Sequence, residues 1–247
     1  MSATPEIRIL KTPADLFRAA ATEFSDLANE AVRNRGRFCV ALSGGSTPRS
    51  LYTLLASGAV PVPWQNVCIF FGDERHVPPD DAESNYRMAN EAMLSKVPIP
   101  SQNIFRIPAE EKDSQAVATA YEQTLISFFG LKNGEFPRFD LILLGLGPEG
   151  HTASLFPGSS ALQEKKRLVV SNWVEKFHTD RITLTLPAIN DAAEIIFLVS
   201  GEEKAGILRQ VLEGEPGKLP AQLIRPGDGK LVWLLDQAAA SELSAVV

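Results

Sequence analysis

The chain has 247 residues, a formal net charge of -6 at pH 7 and 45% hydrophobic residues. This length suits one α/β domain with a substantial core, so we expect residues 1–247 to form a single domain. The negative charge argues against general binding to nucleic acid or anionic membranes, because no basic surplus offsets their phosphates. We therefore expect no nucleic-acid partner, and any bound phosphate should be held by a local group of residues.

Cysteine usage and the lack of long apolar segments indicate the compartment. Cys39 and Cys68 lie in apolar runs typical of buried strands, without a Cys or His partner at metal-ligand spacing. We interpret both as buried, reduced thiols. The N-terminal residues lack the apolar core of a secretory signal, and no later segment approaches the ~18 apolar residues of a membrane span. These features predict a cytoplasmic protein that does not cross a membrane.

The first half of the chain alternates predicted helices with predicted strands. Thr12 and Pro13 have the character of an N-cap and a first helical residue, and apolar residues at helical spacing predict a helix that stops at Gly36. The apolar run Phe38–Leu42 predicts a buried strand, and residues 43–47 connect it to a second helix. The next predicted elements are a strand at 67–71, a helix at 85–94, a short strand at 105–107 and a helix at 113–129.

The second half continues this alternation. Residues 139–144, between Pro137 and Gly145, are apolar except for Asp140, which is typical of a parallel strand buried on both faces. The alternation predicts a three-layer α/β/α fold with a mostly parallel central sheet, a Rossmann-type architecture. The remaining predicted elements are extended segments at 168–174 and 181–186, a helix at 188–193, a strand at 194–200, a helix at 205–212 and a strand at 231–235.

Polar loops follow the predicted strands and carry most of the chemically interesting residues. Right-handed crossovers place the loops that follow parallel strands along one edge of the sheet. We expect side chains from these loops to face a common ligand. The loops are residues 43–47, 73–76, 145–154 and 201–204.

The loop after the first predicted strand consists of Ser43, Gly44, Gly45, Ser46 and Thr47. Hydroxyls and exposed N–H groups at a helix start suit an anion, because the helix dipole is positive there. The same residues equally suit a tight strand-to-helix turn without a ligand. The motif is neither a Walker loop nor a GxGxxG fingerprint, so by itself it leaves both interpretations open.

Two cations favour the anion-binding interpretation of this loop. Arg181 and Lys204 each lie in a segment predicted to end near the same edge of the sheet. A turn of N–H groups together with two cations suits a phosphate. The alternative is that both are isolated surface cations.

His151 follows the glycine-rich turn at 145–150 and is the candidate general base, because imidazole titrates near neutral pH. A structural role at a helix start is the alternative. Asp73 would either orient His151 or bind a substrate hydroxyl, and Arg75 would either bind phosphate or pair with Glu74. No Ser or Cys lies in a GxSxG elbow, which argues against a covalent acyl-enzyme.

Five separated segments resemble the 6-phosphogluconolactonase family in order and spacing: ALSGGSTPRSLY, FGDERHVPPDDAESNYRM, LLGLGPEGHTASLFPG, RITLTLPAIN and VSGEEKA. The resemblance covers nearly the whole chain. It implies a sugar-phosphate isomerase-like fold and hydrolysis of 6-phosphoglucono-δ-lactone to 6-phosphogluconate, a step of the pentose phosphate pathway. It also implies that no metal or organic cofactor is required. The expected partner is a small phosphosugar lactone, and we expect a monomer or a weak homo-oligomer.

The resemblance also implies roles for individual residues. His151 matches the family's catalytic histidine, and Asp73 and Arg75 match residues that line the same pocket. We predict these three as the catalytic residues. The positions that match the phosphate side of the pocket are residues 43–47, Arg181 and Lys204.

The chain departs from the family pattern at Pro148 and Glu149, where members more often have an acidic residue and then Asp before the GH pair. Glu149 keeps the carboxylate but adds a methylene group. Pro148 has no N–H, so it is excluded as a donor to an oxyanion.

Two other functions compete with lactone hydrolysis. An amino-sugar-6-phosphate isomerase/deaminase would use the same phosphate turn, but TASLFPG follows the GH pair where deaminases resemble IAFNEPG. A non-catalytic sugar-phosphate-binding domain is the other alternative. The presence of His151 together with Asp73 and Arg75 argues against it.

Overall fold

The computed structural model describes residues 4–244, which contain two β-sheets. The strands are β1 (Glu6–Leu10), β2 (Phe38–Leu42), β3 (Val67–Phe71), β4 (Asp73–Arg75), β5 (Leu141–Leu144), β6 (Val169–Val174), β7 (Thr179–Leu184), β8 (Glu194–Val199) and β9 (Lys230–Asp236). The central sheet has six parallel strands in the order β1-β9-β8-β5-β2-β3. The predicted parallel central sheet is therefore confirmed.

The α-helices are α1 (Pro13–Arg35), α2 (Ser46–Ala56), α3 (Asn85–Ala89), α4 (Ser114–Phe129), α5 (Leu186–Asn190) and α6 (Ala205–Glu213). Helix α1 begins as predicted: the Thr12 hydroxyl accepts a hydrogen bond from the Asp15 N–H at 3.2 Å. A single π-helical turn, Asn90–Leu94, extends α3 over the predicted range. No helix within residues 4–244 has the length and apolar character to cross a bilayer.

Helices α1 and α4 cover opposite faces of the central sheet. The Phe38 ring on β2 packs edge-on against Phe24 of α1, with centroids 5.3 Å apart. Ala41 lies three residues further along β2 and therefore points to the other face. Its register partner Phe70 packs against Phe128 of α4, with centroids 5.0 Å apart. The predicted three-layer α/β/α arrangement follows from these contacts.

The strand order reverses between β2 and β5. From β2 the chain passes outward to β3 at the edge, and it returns to β5 on the other side of β2. Ligands of open α/β sheets bind beyond the carboxyl ends of the strands at such a reversal, because the loops diverge there and leave a crevice. The loop at 43–47 follows β2 and the loop at 145–154 follows β5, so both border this crevice.

The second sheet is small and antiparallel, in the order β4-β7-β6. Gly72 joins it to the central sheet: its N–H donates to Leu42 O and its carbonyl accepts from Leu184 N, both at 2.8 Å. The sequence patterns predict residues 168–174 and 181–186 as extended. The structure confirms the first as β6, while the second strand, β7, begins earlier at Thr179 and ends at Leu184, because Thr185 caps α5. Residues 73–75, which we expected in a loop, form the third strand of this sheet.

The structure corrects three other expectations. Strand β1 was not predicted, because only two isoleucines alternate with charged residues in EIRIL, and it pairs only with β9 at the edge. Residues 105–107 form no strand; Ile104 makes a single bridge to Ile69, and the following Pro108 has no N–H for a ladder. The helix predicted at 188–193 lies at Leu186–Asn190, because Thr185 caps it.

The two cysteines are register partners on neighbouring strands β2 and β3. Both Cys39 and Cys68 are buried and free of disulfides. The predicted buried, reduced thiols are thus confirmed.

Candidate active site

A cavity of about 350 Å³ lies at the carboxyl ends of the central strands, where the strand order reverses. Every site residue predicted from the sequence borders it. They are Ser43, Gly44, Gly45, Ser46, Thr47, Asp73, Arg75, His151, Arg181 and Lys204. The tertiary structure thus brings three separated loops and two strands of the small sheet, β4 and β7, around a common space.

One face of the small antiparallel sheet supplies the charged wall of the cavity. Strand β4 pairs with β7 so that Asp73 lies opposite Thr183 and Arg75 lies opposite Arg181. Alternate residues of a strand share a face, so all four side chains point the same way. Asn172 of β6 lies opposite Arg181 and joins this face.

Two neighbouring guanidinium groups make this wall unusually positive. Like charges directly opposite each other in a sheet repel, and Arg181 is only 8% exposed. Burial, and then the charge of Arg75, lower the pKa of Arg181. Three polar atoms near the cavity are buried without a hydrogen-bond partner in the described chain: Arg75 Nε, Arg181 Nε and Ser43 Oγ. Because unpaired buried donors are costly, these atoms are suited to an anionic ligand.

The start of the turn at 43–47 is fixed by hydrogen bonds from a tyrosine of α2. The Tyr52 hydroxyl accepts from Ser43 N at 3.0 Å and donates to Ser43 O at 2.9 Å, so the carboxyl end of β2 is fixed. Helix α2 begins at Ser46, so it includes the last two residues of the predicted connection 43–47. A Cβ at Gly44 would lie 1.9 Å from Asn85 Oδ1, so only glycine permits this close approach.

His151 is held in a fixed orientation by three neighbours. Its Nδ1 lies 2.9 Å from Glu149 Oε2, and its ring stacks on Phe156 with centroids 4.1 Å apart. On another side, a Cβ at Gly147 would lie 2.0 Å from the imidazole Cε1. The glycine at 147 therefore leaves the space that the imidazole occupies.

The surroundings of His151 favour its neutral form. Burial lowers the pKa of His151, and it outweighs the opposing effect of Glu149, which raises it. The more distant charges also oppose each other, since Asp73 raises this pKa and Lys204 lowers it. An imidazole that is neutral near pH 7 is able to accept a proton from water.

Asp73 does not contact the His151 ring nitrogens; that contact is made by Glu149. The Asp73 carboxylate accepts from the Ser154 hydroxyl at 2.7 Å, and its backbone oxygen accepts from Asn85 Nδ2 at 3.0 Å. Of the two roles left open from the sequence, this geometry favours binding a substrate hydroxyl.

Glu74 has a structural role: it accepts a hydrogen bond from the Arg75 backbone N–H at 2.8 Å and does not pair with the Arg75 guanidinium. Its carboxylate accepts from the N–H groups of Asn85 and Tyr86 at 2.7 and 2.8 Å, at the start of α3. Arg75 instead lies beside Glu83, with Nη1 3.7 Å from Glu83 Oε2.

Lys204 is the last of the predicted site residues, and His76 belongs to the loop predicted at 73–76. Lys204 ends a 3₁₀ turn just after β8 and lines the cavity. His76 lies outside the cavity lining, and its Nε2 is 2.6 Å from Glu111 O. Within residues 4–244 no group of His, Cys, Asp or Glu side chains is placed to hold a metal ion.

Sequence reasoning missed several residues that border or support the cavity. Asn85 follows the charged loop after β3, and nothing in the local pattern distinguishes it. Phe177 is 45% exposed at the cavity mouth, which only the folded structure reveals. Ser154 and Phe156 lie in the segment TASLFPG, and their proximity to His151 was the available signal.

Comparison with known proteins identifies the same family as the resemblance of the five sequence segments. The family model for glucosamine-6-phosphate isomerases/6-phosphogluconolactonase matches residues 11–233. A 6-phosphogluconolactonase of Synechocystis sp. is 42% identical over 241 residues, which cover 97% of this chain and 98% of that protein. The 6-phosphogluconolactonase of Rattus norvegicus is 38% identical, with 96% of this chain and 93% of that protein covered.

Solved structures agree with the sequence comparison. The 6-phosphogluconolactonase from Trypanosoma cruzi superimposes with a TM-score of 0.87 at 32% identity, covering 99% of both chains. A monomeric glucosamine-6-phosphate deaminase shares the fold, with a TM-score of 0.79 at 23% identity over 96% of this chain and 99% of that one. With a family model and full-length relatives in agreement, the chain belongs to the glucosamine-6-phosphate isomerase/6-phosphogluconolactonase family.

Proposed function

We propose that this protein hydrolyses 6-phospho-D-glucono-1,5-lactone to 6-phospho-D-gluconate, a step of the pentose phosphate pathway, with His151 as the general base. The observation that carries the proposal is one cavity that combines an oriented imidazole with the guanidinium groups of Arg75 and Arg181. The first suits attack on an ester carbonyl and the second suits a phosphate. The names of the full-length relatives support the same substrate.

The contact with Glu149 assigns the proton on His151. A carboxylate only accepts hydrogen bonds, so the Nδ1 atom at 2.9 Å carries the hydrogen and Nε2 keeps its lone pair. Nε2 takes a proton from water as the oxygen attacks the lactone carbonyl. The imidazolium that forms is stabilised by Glu149, and it returns the proton to the ring oxygen when the carbon–oxygen bond breaks.

The other end of the substrate is placed by its phosphate. Arg75 and Arg181 offer unpaired N–H groups on the small sheet, and Lys204 contributes a third cation from the loop after β8. Among the described residues, the N–H groups of 44–47 have no acceptor in the protein, so this turn offers further donors. Anchoring the phosphate orients the lactone, which reduces the entropy cost of reaching the transition state. Asp73, on the same face of the small sheet as the two arginines, accepts a hydrogen bond from a hydroxyl group of the sugar.

A substrate comparison tests this function. We expect the purified protein to convert freshly prepared 6-phosphogluconolactone with a kcat/KM about a hundredfold or more above that for unphosphorylated gluconolactone, because each charge-assisted hydrogen bond contributes roughly 1.5–3 kcal/mol. The measurement is initial-rate proton release at constant pH, corrected for spontaneous opening. Glucosamine 6-phosphate should release no ammonia. Equal rates on the two lactones would contradict the proposal.

The pH dependence of kcat follows from the burial of His151. The base acts in its neutral form, so activity is lost as the pH falls through its pKa. Burial lowers that pKa, so we expect the midpoint of the acid limb below the ordinary histidine value of about 6.5. Initial rates at saturating substrate from about pH 5 to about pH 7.5 check this. Activity that rises on acidification would exclude His151 as the base.

Several sequence-based predictions stay predictions. They concern the single-domain organisation of residues 1–247, the monomeric or weakly associating state, and the cytoplasmic location. We propose them with the function because each suits an enzyme that acts on a small phosphosugar lactone and needs no metal or organic cofactor.

A further inference from the structure

The turn between β6 and β7 contacts two residues that hold the candidate base, Glu149 and Phe156. This turn consists of the 3₁₀ residues Glu175–Phe177 followed by His178. On one side Lys176 forms an ion pair with Glu149 Oε1, while Glu149 Oε2 contacts His151 Nδ1 at 2.9 Å. On the other side the Phe177 ring packs edge-on against the ring that stacks on His151, with centroids 6.1 Å apart.

We propose that Lys176 is a positioning residue for the hydrolysis: it holds the Glu149 carboxylate against His151 Nδ1 and thereby keeps Nε2 directed at the substrate. This inference rests on the proposed function. Neither Lys176 nor Glu149 lines the cavity, so both act through the imidazole and neither is a catalytic residue.

The geometry supports this role because Glu149 has two oxygens and each has a different partner. Its side chain is 31% exposed and is two residues from His151, so without a second contact it is free to rotate towards solvent. The ammonium of Lys176 takes one oxygen and leaves the other for the imidazole. Glu149 is longer than Asp by one methylene group, and it reaches both partners.

The charges of the three groups also depend on one another. Burial raises the pKa of Glu149, but hydrogen bonds from Lys176 and then His151 outweigh it, so the pKa is lowered and the carboxylate stays ionised. Its negative charge raises the pKa of His151, and the positive charge of Lys176 partly offsets that charge. The other charged groups that act on the imidazole, Asp73 and Lys204, lie on the cavity side and do not touch this turn.

A structural role for Lys176 predicts a different result from a positioning role. The Lys176 side chain is 57% exposed, and an exposed ion pair contributes little to stability. Removing the ammonium should therefore leave the melting temperature nearly unchanged. A positioning role predicts that the pKa of His151 and the value of kcat both change.

The test uses Lys176→Met, with Lys176→Arg as the conservative variant and Lys132→Met as the control. Lys132 is an exposed lysine beyond α4 that does not line the cavity. We expect Lys176→Met to lower kcat about threefold to tenfold through misalignment of the base. We expect the acid limb of kcat to move downward by about half a pH unit, because the Glu149 carboxylate that raises the pKa of His151 is then no longer held against Nδ1. Lys176→Arg should restore both values, and Lys132→Met should match the unmodified protein.

Two measurements separate the outcomes. The pKa of His151 is measured directly by NMR, with its signal assigned from the His151→Asn variant, and it should shift downward in Lys176→Met. In a Glu149→Gln background, Lys176→Met should have little further effect on kcat. Unchanged kcat and His151 pKa in Lys176→Met would overturn the inference while lactone hydrolysis stands. Absence of lactone hydrolysis in the unmodified protein would instead overturn the proposed function.

Discussion

His151→Asn is expected to lower kcat for lactone hydrolysis by about 10²–10⁴-fold, the contribution typical of a general acid–base residue. Asparagine keeps a polar side chain of similar reach, but it neither accepts a proton from water nor returns one to the leaving oxygen. Glu149 retains its ion pair with Lys176 in this variant, so no carboxylate is left without a partner. The measurement is initial-rate proton release with fresh 6-phosphogluconolactone.

The matched control for this variant is His178→Asn. The His178 side chain is 79% exposed, and its backbone φ of 47° is a left-handed conformation that asparagine tolerates well. We expect this control to keep the rate of the unmodified protein. We also expect His151→Asn to bind 6-phosphogluconate within about threefold of the unmodified protein, since the phosphate site is intact. A near-normal rate in His151→Asn would exclude His151 as the general base.

Arg181→Met is expected to raise KM for the phosphorylated lactone about tenfold to a hundredfold, because a charge-assisted hydrogen bond contributes roughly 1.5–3 kcal/mol. The kcat should change little, since the phosphate is bound equally in the ground and transition states. The kinetics of unphosphorylated gluconolactone should also stay the same. The measurement is a comparison of kcat and KM for the two lactones with each variant.

The stability of Arg181→Met gives a second, independent result. Arg181 is buried opposite Arg75 with an unpaired Nε, so its removal relieves repulsion and desolvation. We expect a melting temperature equal to or above that of the unmodified protein, and methionine keeps most of the packing. Arg138→Met is the control, because Arg138 pairs with Asp228 on the surface and lies outside the cavity. Equal losses on both lactones would show that Arg181 does not bind the phosphate.

The site residues could be predicted from the sequence because local patterns indicate the buried strands and the loops that follow them. Apolar runs such as Phe38–Leu42 predict buried parallel strands, and the loops that follow parallel strands meet at one edge. Those two rules were enough to place residues 43–47 and His151 around a common cavity. Side-chain chemistry suggested a general base and an anion-binding turn, and the resemblance of five segments to a known family selected these roles over the structural alternatives.

Contacts between side chains that are far apart in the sequence could not be predicted from such local patterns. Arg75 and Arg181 are neighbours only because β4 and β7 pair with each other in the small sheet in a defined register. A shift of one residue in that register would turn one of the two side chains to the opposite face. Strand β1 was missed for a related reason, since its weak alternation is stabilised by the edge of β9 rather than by local propensity.

The sequence by itself determined the alternation of strands and helices, the edge of the sheet at which the cavity lies, and the identities of the predicted residues that border it. Only the tertiary structure decided which side chains are in contact. Glu149 rather than Asp73 contacts His151, and Lys176 reaches Glu149 from the turn between β6 and β7. The physical reason is the distance along the sequence over which each feature is determined. Helix and strand periodicity are set by neighbours within a few residues, whereas side-chain contacts depend on strand register and packing between distant segments.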